Sequence, residues 1–135
     1  MVNKESEHPY YKERRKYPRL NTSVEIEYWV SKEDTFMKTV TKNIGAGGVC
    51  IVSEEKIGKD TILFFKIDLS DGKKFIQAKG KVVWSSEFYS SSLEKIVYNL
   101  GIEFIEISDE DRQRIYDYVI GRITPEDTLK YNNYG

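Results

Sequence analysis

The chain is poor in the residues that build disulfides and metal centres. Its 135 residues include one cysteine, Cys50, and one histidine, His8. A single cysteine excludes an internal disulfide, and one cysteine with one histidine argues against a structural zinc site. The N-terminus has no apolar signal core, and no stretch approaches the ~18 apolar residues of a membrane span. We therefore expect a cytoplasmic protein.

The catalytic options are equally few. His8 lies in a polar leader with no periodic pattern, which would not fix its orientation as a base. Cys50 lies in an apolar run and is interpreted as a buried structural thiol rather than a nucleophile. The glycine cluster at 45–48 lacks the Lys-Ser/Thr of a P-loop and opens no helix. We expect neither an enzyme nor a cofactor.

Charge is present but unevenly distributed. The net charge is −1 over the whole chain. Residues 1–20 hold six basic residues against three acidic ones, which leaves +3 there and −4 over the rest. A basic arm on an acidic body suggests an anionic partner at the arm.

Period-2 alternation marks most of the remaining chain as β-strand. The clearest case is 24–30, where apolar residues alternate with Glu25, Glu27 and Trp29. Further strands are predicted at 37–44, 49–52, 61–69, 76–84 and 100–104. Residues 85–95 are Ser-rich and are expected to form a loop. Short strands with regular turns favour a mostly β fold, either a small barrel or a sandwich.

A helix is predicted at the C-terminal end. Ser108 with Asp111 three residues later resembles a capping box, and Ile115, Val119 and Ile123 fall on one helix face. Thr124-Pro125 is expected to end this helix. The predicted organisation is a flexible leader at 1–12, one domain at 13–123 and a polar tail at 124–135.

Two features could carry binding chemistry. The first is Arg15-x-x-x-Arg19, since the planar guanidinium suits phosphates and the guanine edge. The second is Asn43-Ile44-Gly45-Ala46-Gly47-Gly48, where glycines permit close approach of a ligand to the backbone. Taken singly, the first also fits a solvated basic arm, and the second a β-bulge or tight hairpin.

Together, in this order on this strand pattern, the two features resemble the PilZ domain family. The family has an RxxxR motif before its first strand, matched by 15–20, and a [D/N]xSxxG motif, matched by 43–48. The segments 80–84, 100–104 and 108–112 also look like later parts of the family, so the resemblance covers about 13–123. It implies a six-stranded antiparallel β-barrel with a C-terminal α-helix and a flexible N-terminal arm.

The resemblance also implies binding of the bacterial second messenger cyclic di-GMP. Arg15 and Arg19 would contact its phosphates and guanine edges, Asn43 would meet a guanine, and Gly48 would let the backbone turn beneath the ligand. A basic residue at Arg14 is associated in the family with two intercalated ligand molecules, and we expect that mode here. The ligand would order the arm, and an effector protein would read the new surface.

The departure from the family pattern is Gly45, where the family has serine. A missing neutral hydrogen bond would weaken binding by up to about tenfold. By this reasoning, Gly45→Ser should leave binding equal or tighter. Asn43 fits the pattern but offers one acceptor oxygen where Asp would offer two.

Two other functions remain open from the residues. Gly45 favours a PilZ-like protein-interaction adaptor that has lost nucleotide binding, while Arg15 and Arg19 argue against it. A barrel that binds single-stranded nucleic acid through its basic arm and exposed aromatics such as Tyr28 and Trp29 is the third hypothesis. The net charge of −1 counts against this third hypothesis.

Overall fold

The structure is a computed structural model that describes residues 17–30 and 35–123. The described residues form seven strands and one helix: β1 (Arg19–Leu20), β2 (Glu25–Val30), β3 (Met37–Gly45), β4 (Gly48–Ser53), β5 (Ile62–Asp68), β6 (Ile76–Ser90), β7 (Lys95–Ile107) and α1 (Asp109–Ile120). The predicted leader and tail lie outside the described residues, as does the Thr124-Pro125 helix stop.

All strand pairings are antiparallel, and they close a barrel. The strands follow the order β1-β3-β2-β5-β6-β7-β4, and a further β3–β4 pairing joins the two sides. Six strands, β2 to β7, make the barrel, while the two-residue β1 adds to the outside of β3. The predicted six-stranded barrel with a C-terminal helix is confirmed. Among the described residues, no helix is long and apolar enough to cross a membrane.

The barrel interior is filled by the alternate residues of each strand. In β5, Leu63, Phe65 and Ile67 are at most 1% exposed, while the residues between them face outward. This is the period-2 pattern expected of strands that cover one core. The predicted alternation therefore placed the correct side chains inside.

Helix α1 packs its apolar face against the barrel. The Ser108 Oγ accepts a hydrogen bond from the Asp111 backbone N–H at 3.0 Å, which caps the first turn. Ile115 and Val119 are fully buried in the core. The helix ends at Ile120, so Ile123 is partly buried beyond its last turn.

The prediction of a loop at 85–95 was wrong. β6 and β7 continue as a paired ribbon from Ser85↔Leu100 out to Ser90↔Lys95, and only 91–94 form the turn. Serine content suggested a loop, but pairing with β7 holds these residues as strand. We call residues 83–97 the outer hairpin.

Tyr28 is another correction, because it is 3% exposed. It lies on the inward face of β2, and its hydroxyl donates a hydrogen bond to Ser53 Oγ at 3.0 Å. Trp29 is half-buried, with its ring edge against Phe64. The exposed aromatic pair expected for a nucleic-acid surface is therefore not present at these positions.

Candidate functional site

The described end of the arm is docked on the barrel. β1 pairs with β3 through Arg19↔Gly45 and Leu20↔Ile44, and Leu20 is buried in the core. Gly45 permits this contact, since an added Cβ would lie 2.7 Å from the Pro18 carbonyl oxygen and 3.1 Å from Arg19 Cγ. The missing side chain at 45 therefore lets the arm lie directly against β3.

Arg19 is held by Asn43 across this contact. The Arg19 Nη1 donates a hydrogen bond to Asn43 Oδ1 at 2.9 Å. An amide oxygen has two lone pairs, so Arg19 uses one of them and leaves the other, with the two amide N–H groups, for a ligand. The sequence placed these two residues in one site, but it gave no reason to expect this contact.

Arg112 of α1 connects the loop between β3 and β4 with the arm. Its Nη1 donates to the Ala46 carbonyl oxygen at 2.8 Å, and its guanidinium carbon lies 5.6 Å from the centre of the Tyr17 ring. Tyr17 also lies against Gly47, where an added Cβ would be 3.2 Å from the ring. Arg112 therefore joins the C-terminal helix to residues 17–20 and 43–48, which we call the arm–loop corner.

Gly48 has a packing role in the barrel. A Cβ there would collide with the carbonyl oxygen of Ile102, because Gly48 lies opposite Glu103 in the β4–β7 pairing. β7 is also bonded to the loop between β3 and β4, since the Phe104 backbone N–H donates a hydrogen bond to the Gly47 carbonyl oxygen at 2.9 Å. The glycine thus brings β7 close under the arm–loop corner.

A groove of about 430 Å³ lies beside the arm–loop corner. Trp84 forms part of its wall, and its indole covers Gly101 so closely that a Cβ at 101 would overlap the ring. The lining residues are Tyr17, Arg19, Gly47, Val83, Trp84, Gly101, Ile102, Glu103, Phe104 and Arg112. Two arginines against one glutamate give the lining an excess of positive charge, and the 44% exposed indole adds a flat apolar face.

Of the ten lining residues, the sequence analysis named Arg19 alone as a site candidate, and the missed ones include Trp84, Glu103 and Arg112. Trp84 was recognised only as part of a strand motif. Its opposite residue is Gly101, and an aromatic ring opposite glycine can lie flat on the neighbouring strand. Arg112 had no local signal, since its role depends on where α1 crosses the loop.

Cys50 is 4% exposed, as predicted for a structural thiol. Burial raises the pKa of this thiol, and the charges of Lys42 and Arg19 oppose that shift only in part. A neutral, buried thiol is a poor nucleophile.

The predicted site residues divide into three groups. Arg19, Asn43 and Gly45 lie together in the arm–loop corner. Gly48 lies at the adjacent β4–β7 contact. Arg14 and Arg15 lie outside the described residues, so their part in the site stays a prediction.

The comparisons with known proteins agree with this architecture. A family model described as PilZ domain matches residues 13–121. No curated protein matches the chain.

Solved structures share the fold at low sequence identity. The Bacillus subtilis inhibitor of motility MotI/DgrA is 24% identical with a TM-score of 0.65, over 81% of this chain and 51% of that one. The PilZ domain of Escherichia coli YcgR, solved with c-di-GMP, is 11% identical with a TM-score of 0.62, over 88% and 98%. Borreliella burgdorferi PlzA, in complex with c-di-GMP, is 17% identical with a TM-score of 0.56, over 84% and 56%. The chain thus spans about half the length of MotI/DgrA.

Proposed function

Because this chain belongs to the PilZ domain family, we propose that it is a receptor for cyclic di-GMP and that the arm–loop corner binds the ligand. The observation that carries the proposal is Arg19, held by Asn43 at the edge of a groove that also contains Arg112 and Trp84. Structures of two similar folds were solved with this ligand. The protein would act by binding, without catalysis, in the cytoplasm.

The chemistry of the groove suits each part of the ligand. Cyclic di-GMP carries two anionic phosphates, which the guanidinium groups of Arg19 and Arg112 can contact with charge-assisted hydrogen bonds. Its guanines are flat, and the exposed indole of Trp84 can stack on them. Arg15 would add a second arginine from the arm.

Asn43 has a different task from the one that its family position suggests. Its oxygen accepts from Arg19 with one lone pair, which leaves one lone pair for a guanine N–H donor. The amide N–H groups can also donate to the guanine O6 and N7 or to a phosphate oxygen. Asn43 would therefore orient Arg19 and contact the ligand.

Arg112 offers a route from the ligand to the outside of the molecule. It contacts Ala46 of the loop and Tyr17 of the arm, and it belongs to α1. A ligand that reorders the arm changes these contacts and so changes the surface formed by the arm and the start of α1. An effector protein would read that surface.

A protein-interaction adaptor without nucleotide binding is the second candidate. Gly45 favours it, because glycine removes the family hydroxyl and lets the arm dock on β3 without a ligand. Under that hypothesis, the docked arm itself would be the binding surface.

Isothermal titration calorimetry with cyclic di-GMP distinguishes the receptor hypothesis from the adaptor hypothesis. The receptor hypothesis predicts saturable heat in low and moderate salt, with GMP as a control that gives much weaker binding. Two ligands per chain would support the intercalated mode proposed for Arg14, and one per chain would reject that mode. Absence of heat at high micromolar ligand in both salts would reject the receptor hypothesis and leave the adaptor.

A further inference from the structure

The outer part of β6 has an open strand edge. β5 pairs with β6 only from Ile76 to Lys81, and Val82 makes the last backbone hydrogen bonds on that side, to Asp60 and Thr61. From Trp84 to Ser90, β6 pairs with β7 without interruption. Within residues 17–30 and 35–123, no strand covers the other side of this segment. A row of backbone N–H and C=O groups is therefore open to another chain.

This edge has little of the usual protection against pairing: a β-bulge lies before Trp84, and Lys42 of β3 lies over the Phe88 ring. Proteins commonly guard exposed edges with lysine, proline or several charges. Residues 83–90 contain neither lysine nor proline, and Glu87 is their one charged residue. Trp84, Phe88 and Tyr89 are 44%, 36% and 61% exposed. Aromatic residues on a bare edge favour a partner strand.

We propose that β6 pairs antiparallel with β6 of a second copy of this chain, around a two-fold axis at Ser86. The proposal does not rest on the proposed function, although Trp84 also lines the groove. It extends the ribbon of each copy into one four-stranded sheet made of two outer hairpins.

The two-fold symmetry leaves few registers. An axis perpendicular to the ribbon keeps each residue on the same face in both copies, so one residue must lie opposite itself. With Ser86 at the axis, Trp84 lies opposite the partner's Phe88, and Glu87 lies opposite the partner's Ser85. Aromatic pairs across strands are stabilising.

The neighbouring registers are less favourable. With Glu87 at the axis, the two Glu87 carboxylates would lie opposite each other, which is destabilising. With Ser85 at the axis, Trp84 would lie opposite the partner's Ser86, and Val83 opposite the partner's Glu87. The segment is therefore self-complementary about Ser86, and this favours a second copy over an unrelated strand.

Two lysine substitutions with the same charge test the register in the full-length chain. Ser85→Lys brings a lysine opposite the partner's Glu87 twice per dimer, and we expect tighter dimerisation by about 2- to 30-fold. Ser86→Lys brings two lysines opposite each other at the axis, and we expect dimerisation to weaken by about fivefold. Both positions are exposed, so both variants should fold, which circular dichroism checks.

Sedimentation velocity over a range of chain concentrations measures the effect. A wild-type chain that stays monomeric at the highest concentration would overturn the proposal. Equal changes of the dimer dissociation constant in the two lysine variants would overturn it as well. A general effect of the added charge would change both constants in the same direction.

Cysteine cross-linking gives a second readout of the axis. Residues opposite each other in an antiparallel pair have Cα atoms about 4.5 or 5.5 Å apart, within the ~4.4–6.8 Å range of disulfides. Ser86→Cys should form a disulfide-linked dimer under mild oxidation, while Ser85→Cys and Glu87→Cys should not. Cross-linking only at 85 or 87, or at none of the three, would contradict the axis at Ser86. The wild-type chain is the control for cross-linking, because its single cysteine, Cys50, is buried.

Discussion

The arm–loop corner and the outer hairpin differ in side-chain size: the corner is built on glycines, and the hairpin carries large exposed side chains. In the corner, Gly45, Gly47 and Gly48 have no side chains, so arm, loop and β7 backbones lie within contact distance of one another. In the outer hairpin, large side chains such as Trp84 and Tyr89 are exposed on a two-stranded ribbon. The corner suits a small anionic ligand that needs fixed donors, and the hairpin suits another chain that needs area and an open edge.

The largest expected effect is loss of the corner's arginine. Arg19→Ala should weaken cyclic di-GMP binding by about 10- to 150-fold, because it removes charge-assisted hydrogen bonds from the ligand. Arg122→Ala is the matched control, since Arg122 contacts Tyr118 at the end of α1. Calorimetry measures both. Equal losses in the two variants would mean that charge alone, rather than the corner, attracts the ligand.

The next effect concerns the residue that orients Arg19. Asn43→Asp gives Arg19 an ionic partner and adds a second acceptor oxygen for guanine, and we expect binding to tighten about fivefold. Asn43→Ala releases Arg19 and should weaken binding by a similar factor. If both substitutions weaken binding, the essential contact to the ligand comes from the Asn43 amide N–H groups and not from its side-chain oxygen.

A smaller effect is expected at Gly45, and the structure reverses the expectation from the sequence. A Cβ at 45 lies too close to Pro18, so Gly45→Ser should push β1 away from β3 and weaken binding a few-fold. Gly45→Ala introduces the same clash without a hydroxyl and isolates the contribution of the serine oxygen. Tighter binding in Gly45→Ser than in wild type would show that the arm leaves β3 when the ligand binds.

The smallest effect tests whether the two regions are independent. Ser86→Lys lies in the outer hairpin, outside the groove lining, and should leave ligand affinity unchanged. The Trp84 indole lies on Gly101 of its own chain, and this contact does not require the proposed partner. A clear change of affinity in this variant would show that the hairpin and the corner are coupled.

Much of this fold follows from local patterns in the sequence. Alternation in β2 and β5 and the Ser108 cap of α1 identified strands and helix correctly, because burial and capping act over short distances. The motifs at 15–20 and 43–48 also identified the family, which the match over 13–121 confirms.

The errors have a common physical origin in long-range contacts. Residues 85–95 were taken for a loop because their strand state depends on long-range pairing, such as that of Ser85 with Leu100, fifteen residues later in the sequence. Arg112 reaches Ala46 only because α1 folds back over the barrel. The clash at Gly45 depends on where β1 docks. Composition and periodicity contain none of this information.

The most direct test of the central claim is an NMR titration of the ¹⁵N-labelled chain with cyclic di-GMP. The proposed site predicts that backbone signals of the arm–loop corner shift, together with the Asn43 side-chain amide and the Trp84 indole N–H. Signals of 86–95 in the outer hairpin should stay in place at constant chain concentration. Shifts confined to residues 86–95, or none at saturating ligand, would contradict the assignment of the arm–loop corner as the cyclic di-GMP site.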